Sequence, residues 1–274
     1  AIPPQRRGRM LGLSQVLGAV AGIGAGIVVR YVLSDSSPWG YPANYAFLFI
    51  MACLAMLGAA TMLSIIREPA PTLSAKERPT TRQILALLPR ILLQDHPFRR
   101  LIAVRLCAGF VSMANAFYVL YATRKLGFGV ETTGLFISAQ VAGSLTAGLV
   151  TGTVLDRHGP LVHARTMIGI AALPPLLGLA MGPLYALLGP ATFYPYLLLY
   201  FFLGLYLSSL SYPFINFILE YVGEGRQALY IGMNNTINAL TMLAPALGGW
   251  LVKSVSYPAV FGTAIFFAAV AFAL

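Results

Sequence analysis

Several amide and hydroxyl side chains lie deep inside long apolar runs of this sequence. A polar group in such surroundings costs free energy unless it is paired or used. An amide can both donate and accept hydrogen bonds, so it can hold a small polar molecule or bind a neighbouring helix. The candidates for binding a small molecule are Asn115, Gln140, Asn234, Asn238 and Thr241.

Three of these candidates form a stripe. Asn234, Asn238 and Thr241 follow one another at intervals of four and three residues, which places them on one face of a helix. A shared polar face favours the lining of a cavity. For each residue taken singly, an interhelical hydrogen bond, worth about 0.6 kcal/mol on average, remains an equal alternative.

Catalytic and metal-ligating groups are sparse within the apolar runs. The eight carboxylates fall near or outside the ends of the runs, and the three histidines lie in the gaps: Asp35, Glu68, Glu77, Asp95, Glu131, Asp156, Glu220 and Glu224, with His96, His158 and His163. No His-Glu-x-x-His motif occurs. We therefore expect no metal site, no cofactor and no enzymatic activity.

Composition indicates a membrane protein. Of the 274 residues, 58% are hydrophobic and only 9% are charged, whereas a soluble domain carries about 25% charged residues. Apolar runs long enough to cross a bilayer as helices recur along the chain. The predicted spans are 10–33, 43–66, 99–122, 131–155, 163–182, 194–219, 227–251 and 256–274.

Basic residues give the orientation of these spans. The net charge is +10, but the basic residues lie in the gaps or near the span ends, apart from Arg105 within the span 99–122, which does not favour a nucleic-acid partner. The number of Lys and Arg residues differs strongly between alternate gaps. One side holds Arg6, Arg7, Arg9, Arg67, Lys76, Arg78, Arg82, Arg90, Arg99, Arg100, Arg157, Arg165 and Arg226, and the other holds Arg30, Arg124, Lys125 and Lys253. The rich side is predicted to be cytoplasmic.

A short charged stretch interrupts the apolar pattern. It reads Gly152-Thr-Val-Leu-Asp156-Arg157-His-Gly159 and lies between the spans 131–155 and 163–182. By itself, a Gly-x-x-x-Asp-Arg-x-Gly pattern is also consistent with an ordinary turn that carries one solvated ion pair.

In its position between two membrane-length spans, this stretch resembles the cytoplasmic loop of the major facilitator superfamily, a large family of secondary transporters. The segment 226–250 supports the resemblance, because it reads Arg226-x-x-x-Tyr-Ile-Gly and later Ala-Pro-Ala-Leu-Gly-Gly-Trp, similar to the family's eleventh helix. The chain fits the fifth to twelfth of twelve helices. It begins without Met and ends inside an apolar run, so we expect an internal fragment that lacks four N-terminal helices.

The resemblance implies an all-α helical bundle with eight transmembrane helices. Residues 1–66 would be the last two helices of the N-terminal bundle, 67–98 a cytoplasmic linker with an amphipathic helix, and 99–274 the C-terminal six-helix bundle. It implies a monomeric, multi-pass protein of the plasma membrane that moves a small solute by alternating access, with or without a coupling ion. A lipid flippase, a scramblase-like protein or an efflux carrier of the same fold remains the alternative.

Two structural hypotheses follow from small and charged residues. A stripe of small residues, Gly18, Gly22 and Gly26, is expected to pack on the span 131–155 through Ser144, Gly148 and Gly152. The second hypothesis is a latch at the cytoplasmic mouth, formed by the Gly152–Gly159 stretch. Asp156 would dock at the start of span 10–33 beside Arg7 or Arg9, and Arg157 would reach Glu220, with Arg226 close by. Solvated loop charges are the alternative.

Overall fold

The protein is built from α-helices, and no β-strand occurs among the residues that the structure describes. The structure, a computed structural model, describes residues 4–34, 37–65, 89, 91–223 and 226–274, and the side chains of these residues except 4–16, 19 and 149–158. The helices are α1 (Pro4–Val32), α2 (Ala43–Ile65), α3 (His96–Phe110), α4 (Asn115–Lys125), α5 (Thr133–Ala171), α6 (Leu173–Leu188), α7 (Phe193–Ser209), α8 (Tyr212–Tyr221), α9 (Gln227–Asn238), α10 (Ala244–Ser254) and α11 (Tyr257–Ala273). The all-α prediction is confirmed.

Whereas α5 contains nearly all of the span 131–155 and about the first half of the span 163–182, most predicted spans correspond to one helix or to two consecutive helices. For example, a 3₁₀ turn at Val111–Ala114 joins α3 to α4, and another at Ala239–Leu243 joins α9 to α10. Within the described residues, three helical stretches are long and apolar enough to cross a membrane: Ala43–Ile65, His96–Lys125 and Gly159–Tyr221. The last stretch contains two predicted spans. The total of eight membrane helices stays a prediction.

Proline marks several of the breaks between consecutive helices. Pro174, Pro213 and Pro245 each lie in the first turn of a helix, at the start of α6, α8 and α10. Proline is tolerated there because the first turn has no intrahelical partner for its N–H group. The broken spans are therefore a local consequence of the sequence.

The charged stretch is a helix with a sharp bend at its end. The backbone of residues 152–158 continues α5, and only Gly159 leaves the helical conformation, with φ 77° and ψ 173°. Such a positive φ is readily adopted by glycine alone. Pro160 then begins the second part of α5. The expectation of a loop over Gly152–Gly159 is therefore wrong, because a single glycine makes the turn.

The closest helix crossing joins α5 to α7. A Cβ atom on Gly143 would collide with the main-chain oxygen of Phe201, and one on Gly204 would collide with that of Gln140. The hydroxyl of Ser144 donates to the carbonyl oxygen of Gly204 at 3.1 Å. Two glycines on facing helices thus bring the backbones into direct contact.

A second close crossing joins the α3–α4 pair to the α9–α10 pair. Gly109 of α3 lies directly against the side chain of Thr241, and a Cβ on Gly248 of α10 would lie 2.6 Å from the carbonyl oxygen of Met113. Phe98 and Tyr230 stack edge to face at 4.7 Å near the start of both pairs. The two pairs therefore run parallel in a constant register.

Aromatic side chains fill the core between these helices. The rings of Phe136 and Tyr200 stack with centroids 4.8 Å apart, and those of Tyr118 and Phe261 stack at 5.3 Å. The Tyr196 hydroxyl donates to the Tyr118 carbonyl oxygen at 2.6 Å. A large, fully buried aromatic core fixes how α4, α5, α7 and α11 pack.

The α1 helix packs on α5, but nearer to the start of α5 than predicted and without the predicted partner Ser144. A Cβ on Gly22 would lie 3.1 Å from Val141, and one on Gly26 would lie 3.2 Å from the Ser138 hydroxyl, whereas no described atom lies within 4 Å of a Cβ on Gly18. The predicted partner Ser144 faces α7 instead. The contact is therefore shifted toward the start of α5, since Gly134 lies against Arg30 and lets the helices approach there.

The α2 helix is apolar on all sides and contains no buried residue. Large side chains along it are exposed, including Phe49 at 74% and Met56 at 75%. A helix that is hydrophobic all round is stable only in contact with lipid or with other protein segments. This feature agrees with a membrane environment.

Candidate solute-binding site

Asn115 begins α4 directly after the 3₁₀ turn and is half-buried. Its Oδ1 atom accepts a hydrogen bond from the hydroxyl of Tyr206 at 3.0 Å, and Tyr206 is only 1% exposed. This bond ties the break in the α3–α4 pair to α7. The Asn115 side chain thus serves at least an interhelical contact.

Asn234 and Asn238 carry hydrogen-bonding groups that the protein leaves unused. Asn234 is 1% exposed, and its Nδ2 donates to Oδ1 of Asn235 at 3.2 Å. The Oδ1 atoms of Asn234 and Asn238 are buried and have no hydrogen-bond partner among the described residues. Buried polar atoms in proteins are nearly always paired. Two unpaired acceptors one turn apart can therefore accept from a donor that is not among the described residues.

The remaining two candidates make contacts within the bundle. The Thr241 hydroxyl donates to the carbonyl oxygen of Asn238 at 2.7 Å, and its side chain packs on Gly109. Gln140 lies at the α5–α7 crossing, where its main-chain carbonyl oxygen faces Gly204. The structure thus places Asn234 and Asn238 together, whereas Thr241, in the 3₁₀ turn at Ala239–Leu243, lies in a helix contact with Gly109.

A buried arginine, Arg105, lies in the same bundle and is not among the polar candidates predicted from the sequence. Arg105 of α3 is 9% exposed and lies within the predicted span 99–122. Its guanidinium donates to the Leu210 carbonyl oxygen at 3.2 Å and to the Ser211 hydroxyl at 3.0 Å, and it lies 4.8 Å from the centroid of the Phe214 ring. Its Nε atom is buried without a partner. The charge of Arg105 thus fastens α3 to the break between α7 and α8.

The sequence contained a signal for this residue. Arg105 is the one Lys or Arg residue that was assigned to neither side of the membrane, because it lies well inside the span 99–122. Ionisable residues within spans are rare and face the bundle interior. Its position inside a span therefore identified Arg105 as an unusual residue. Its partners lie more than 100 residues away in the chain and could not be predicted from the sequence pattern.

Asp95 gathers three helices at the end of the bundle where the basic residues are concentrated. It caps α3 by accepting from the Phe98 backbone N–H at 3.0 Å. Its two oxygens also accept from the hydroxyls of Tyr221 at 2.8 Å and Tyr230 at 2.9 Å, which come from α8 and α9. The Arg226 charge is nearby. A single carboxylate therefore links the ends of three spans.

These partners shift the acidity of the cluster. Burial raises the pKa of Asp95, but the hydrogen bonds from Phe98, Tyr221 and Tyr230 and the positive charge of Arg226 together outweigh it, so the pKa lies below its ordinary value. The same hydrogen bond raises the pKa of Tyr221 to about 12, because the Asp95 carboxylate holds the phenol proton. The cluster is therefore charged and intact at neutral pH.

We expect Asp95→Asn to lower the stability of the full-length protein at pH 7 by about 1 kcal/mol, since asparagine keeps the helix cap but loses the charge and one acceptor. A carboxyl with a depressed folded pKa stabilises the fold above its unfolded pKa of about 3.9 and loses this effect as the pH falls through the folded pKa. Thermal unfolding in detergent should therefore show a gap at pH 7 that closes below about pH 4. Glu220→Gln removes an exposed charge nearby and is the control. An equal loss of stability in both variants would contradict the role of Asp95.

The structure describes the side chains of only some residues of the latch hypothesis. The side chains of Arg7, Arg9, Asp156 and Arg157 lie outside the described residues, so the latch stays a prediction. Glu220 is exposed at the end of α8, and Arg226 precedes α9 and acts on Asp95. Gly148 is half-buried on α5. Among the described residues, no group of three or more His, Cys, Asp or Glu residues could hold a metal ion.

Comparison with known proteins places this arrangement in a family. Neither a search of curated proteins nor one of solved structures found a match. The sequence model of the Major Facilitator Superfamily matches residues 1–242, which is most of the chain. With its apolar broken helices and its polar groups inside predicted spans, the chain belongs to the Major Facilitator Superfamily of membrane transporters.

Proposed function

We propose that the protein is a secondary active transporter that moves a small polar solute by alternating access and that Asn234 and Asn238 bind the solute. The observation that carries the proposal is the pair of buried, unpaired amide oxygens on α9. In a helix bundle that excludes water, such acceptors favour a ligand that supplies hydroxyl, amide or ammonium donors.

The helix breaks around this pair of asparagines support a solute site in a part of the bundle that moves during transport. Both residues precede the 3₁₀ turn at Ala239–Leu243, and the neighbouring α3–α4 pair is broken at Val111–Ala114. Solute sites in transporters often lie at such interrupted helices near the middle of the membrane. We place the site in the C-terminal bundle, residues 99–274, which would rock against a bundle that includes residues 1–66.

The described residues give less support for the coupling of transport to an ion than for the solute site. Among the described residues, no carboxylate lies in the interior of a predicted span, since Glu131 stands at the first position of the span 131–155. The proposal therefore assigns no proton-binding carboxylate to this part of the chain. The cytoplasmic gate in this proposal is the latch at Asp156 and Arg157, and the Asp95 cluster lies at the same end of the bundle.

The test uses the full-length protein in liposomes. A panel of labelled sugars, amino acids and nucleosides first identifies a solute with saturable uptake. In the double variant Asn234→Leu/Asn238→Leu, which keeps the side-chain volume, we expect uptake to fall by at least about tenfold, as for the loss of a buried hydrogen bond to substrate. Thr236→Val, which alters an exposed hydroxyl on α9, is the control.

Two results would reject the proposal. Uptake of the identified solute with unchanged KM and maximal rate in the double variant would remove Asn234 and Asn238 from the site. Transfer of labelled lipid between leaflets without saturable flux of any solute would favour the flippase alternative. Size-exclusion profiles and Tm values of all variants must match the wild type, so that a loss of uptake reports on binding.

A further inference from the structure

A cavity lies at the end of the C-terminal helices, apart from the asparagine pair. It has a volume of about 500 Å³ and is enclosed by the start of α3, the second part of α5, α8 and the end of α11. Its inner wall is apolar and consists of Leu101, Val104, Ile168, Phe214, Phe217 and Phe272. A cavity of this size and lining accommodates a hydrocarbon chain.

The charged side chains of this cavity have one sign. Arg100 and Arg165 line it beside the imidazole of His96, and no acidic side chain of the described residues does. Arg165 is exposed and makes no hydrogen bond to the described residues, and Arg100 uses its Nε for the Leu274 carbonyl oxygen, which leaves its two Nη groups free there. The cavity therefore combines an apolar interior with two available guanidinium groups at its mouth.

The position of the arginines matches the level of lipid headgroups. Arg100 and Arg165 each lie at the beginning of a predicted span, on the side that the excess of Lys and Arg predicts to be cytoplasmic. The cytoplasmic leaflet carries the anionic lipids, and basic pockets between membrane helices on that side bind their headgroups. A guanidinium can bind two phosphate oxygens at once.

We propose that this cavity binds an anionic phospholipid, with the phosphate at Arg100 and Arg165 and an acyl chain along the apolar wall. A zwitterionic lipid fits the wall but brings its own cation to the arginines. A soluble anion pairs with the arginines but leaves the apolar cavity unfilled. This proposal goes beyond the transport function and does not depend on the identity of the solute.

Native mass spectrometry of the full-length protein tests the proposal, with phosphatidylglycerol and phosphatidylcholine of identical chains as probes. We expect preferential adducts with phosphatidylglycerol. The double variant Arg100→Gln/Arg165→Gln should lower their apparent affinity by about thirtyfold, from roughly fivefold per arginine, and leave phosphatidylcholine unchanged. The control Arg124→Gln/Lys125→Gln removes the same charge at the opposite end of the α3–α4 pair, where both residues are exposed.

A second variant tests the apolar wall while keeping the charges. Val104→Phe narrows the cavity, so the phosphatidylglycerol adducts should again decrease, and a matching size-exclusion profile shows that the protein is folded. Equal binding of the two lipids would overturn the proposal. An equal loss in the Arg124/Lys125 control would also overturn it, and so would displacement of the lipid by inorganic phosphate or glycerol phosphate at equal concentration.

Discussion

Gly204→Ala is expected to destabilise the full-length protein by more than about 3 kcal/mol, the upper end of the usual cost of overpacking. The added Cβ would collide with the main-chain oxygen of Gln140. A side chain could rotate away, but the backbone of α5 cannot. The α5 and α7 helices would have to separate, which would break the Ser144–Gly204 hydrogen bond and the stacking of Phe136 on Tyr200.

Fluorescence-detected size-exclusion chromatography after heating measures this effect. Gly204→Ala should give a lower Tm or aggregated protein. Gly262→Ala in α11 is the matched control, because nothing lies within 4 Å of a Cβ at that position. Gly143→Ala, which meets the Phe201 carbonyl oxygen, should behave like Gly204→Ala. A wild-type Tm for Gly204→Ala would show that the two backbones are not in contact.

Arg105→Met should also destabilise the protein, by about 2 kcal/mol, since each buried group left unpaired costs about 1–3 kcal/mol and the lost desolvation of the charge offsets part of the total. Methionine keeps much of the volume but leaves the Leu210 carbonyl oxygen and the Ser211 hydroxyl without their donor. The helix cannot supply another donor easily, because Pro213 has no N–H and interrupts the turn. The contact with Phe214 is lost as well.

A double-mutant cycle separates this role from a general effect of charge. Pro213→Ala allows α7 and α8 to form a continuous helix, in which the Phe214 N–H can donate to the Leu210 carbonyl oxygen. We expect Arg105→Met to cost less in the Pro213→Ala background than in the wild type, and the difference of the two Tm shifts measures the coupling. Arg124→Met at an exposed site is the control for the substitution itself. Strict additivity would refute the link between Arg105 and the helix break.

The sequence by itself determined the class of protein, the helical fold and the family. Apolar runs of membrane length dictate helices, because a chain in lipid must satisfy its backbone groups internally. Pro174, Pro213 and Pro245 determined where helices break, because a missing N–H acts locally. The glycine at position 159 marked the bend, although the pattern suggested a loop where the helix continues to residue 158.

Periodicity also gave part of the candidate site. It placed Asn234 and Asn238 on one face of a helix, and the structure leaves both amide oxygens unpaired. It failed to foresee that Thr241 packs on Gly109, because a helical period gives the direction of a side chain but not its neighbour. It failed for Ser144 too, since a small residue fits any close helix and the sequence does not say which one.

Only the tertiary structure decided which charged and polar groups meet. Asp95 forms hydrogen bonds with Tyr221 and Tyr230, which are 126 and 135 residues away in the chain, and Arg105 forms one with Leu210, which is 105 residues away. A helical repeat fixes the direction of a side chain around its own axis, whereas the identity of its partner depends on how whole helices pack. Close packing at Gly143 and Gly204 is one part of that arrangement, because it brings the backbones of α5 and α7 into contact.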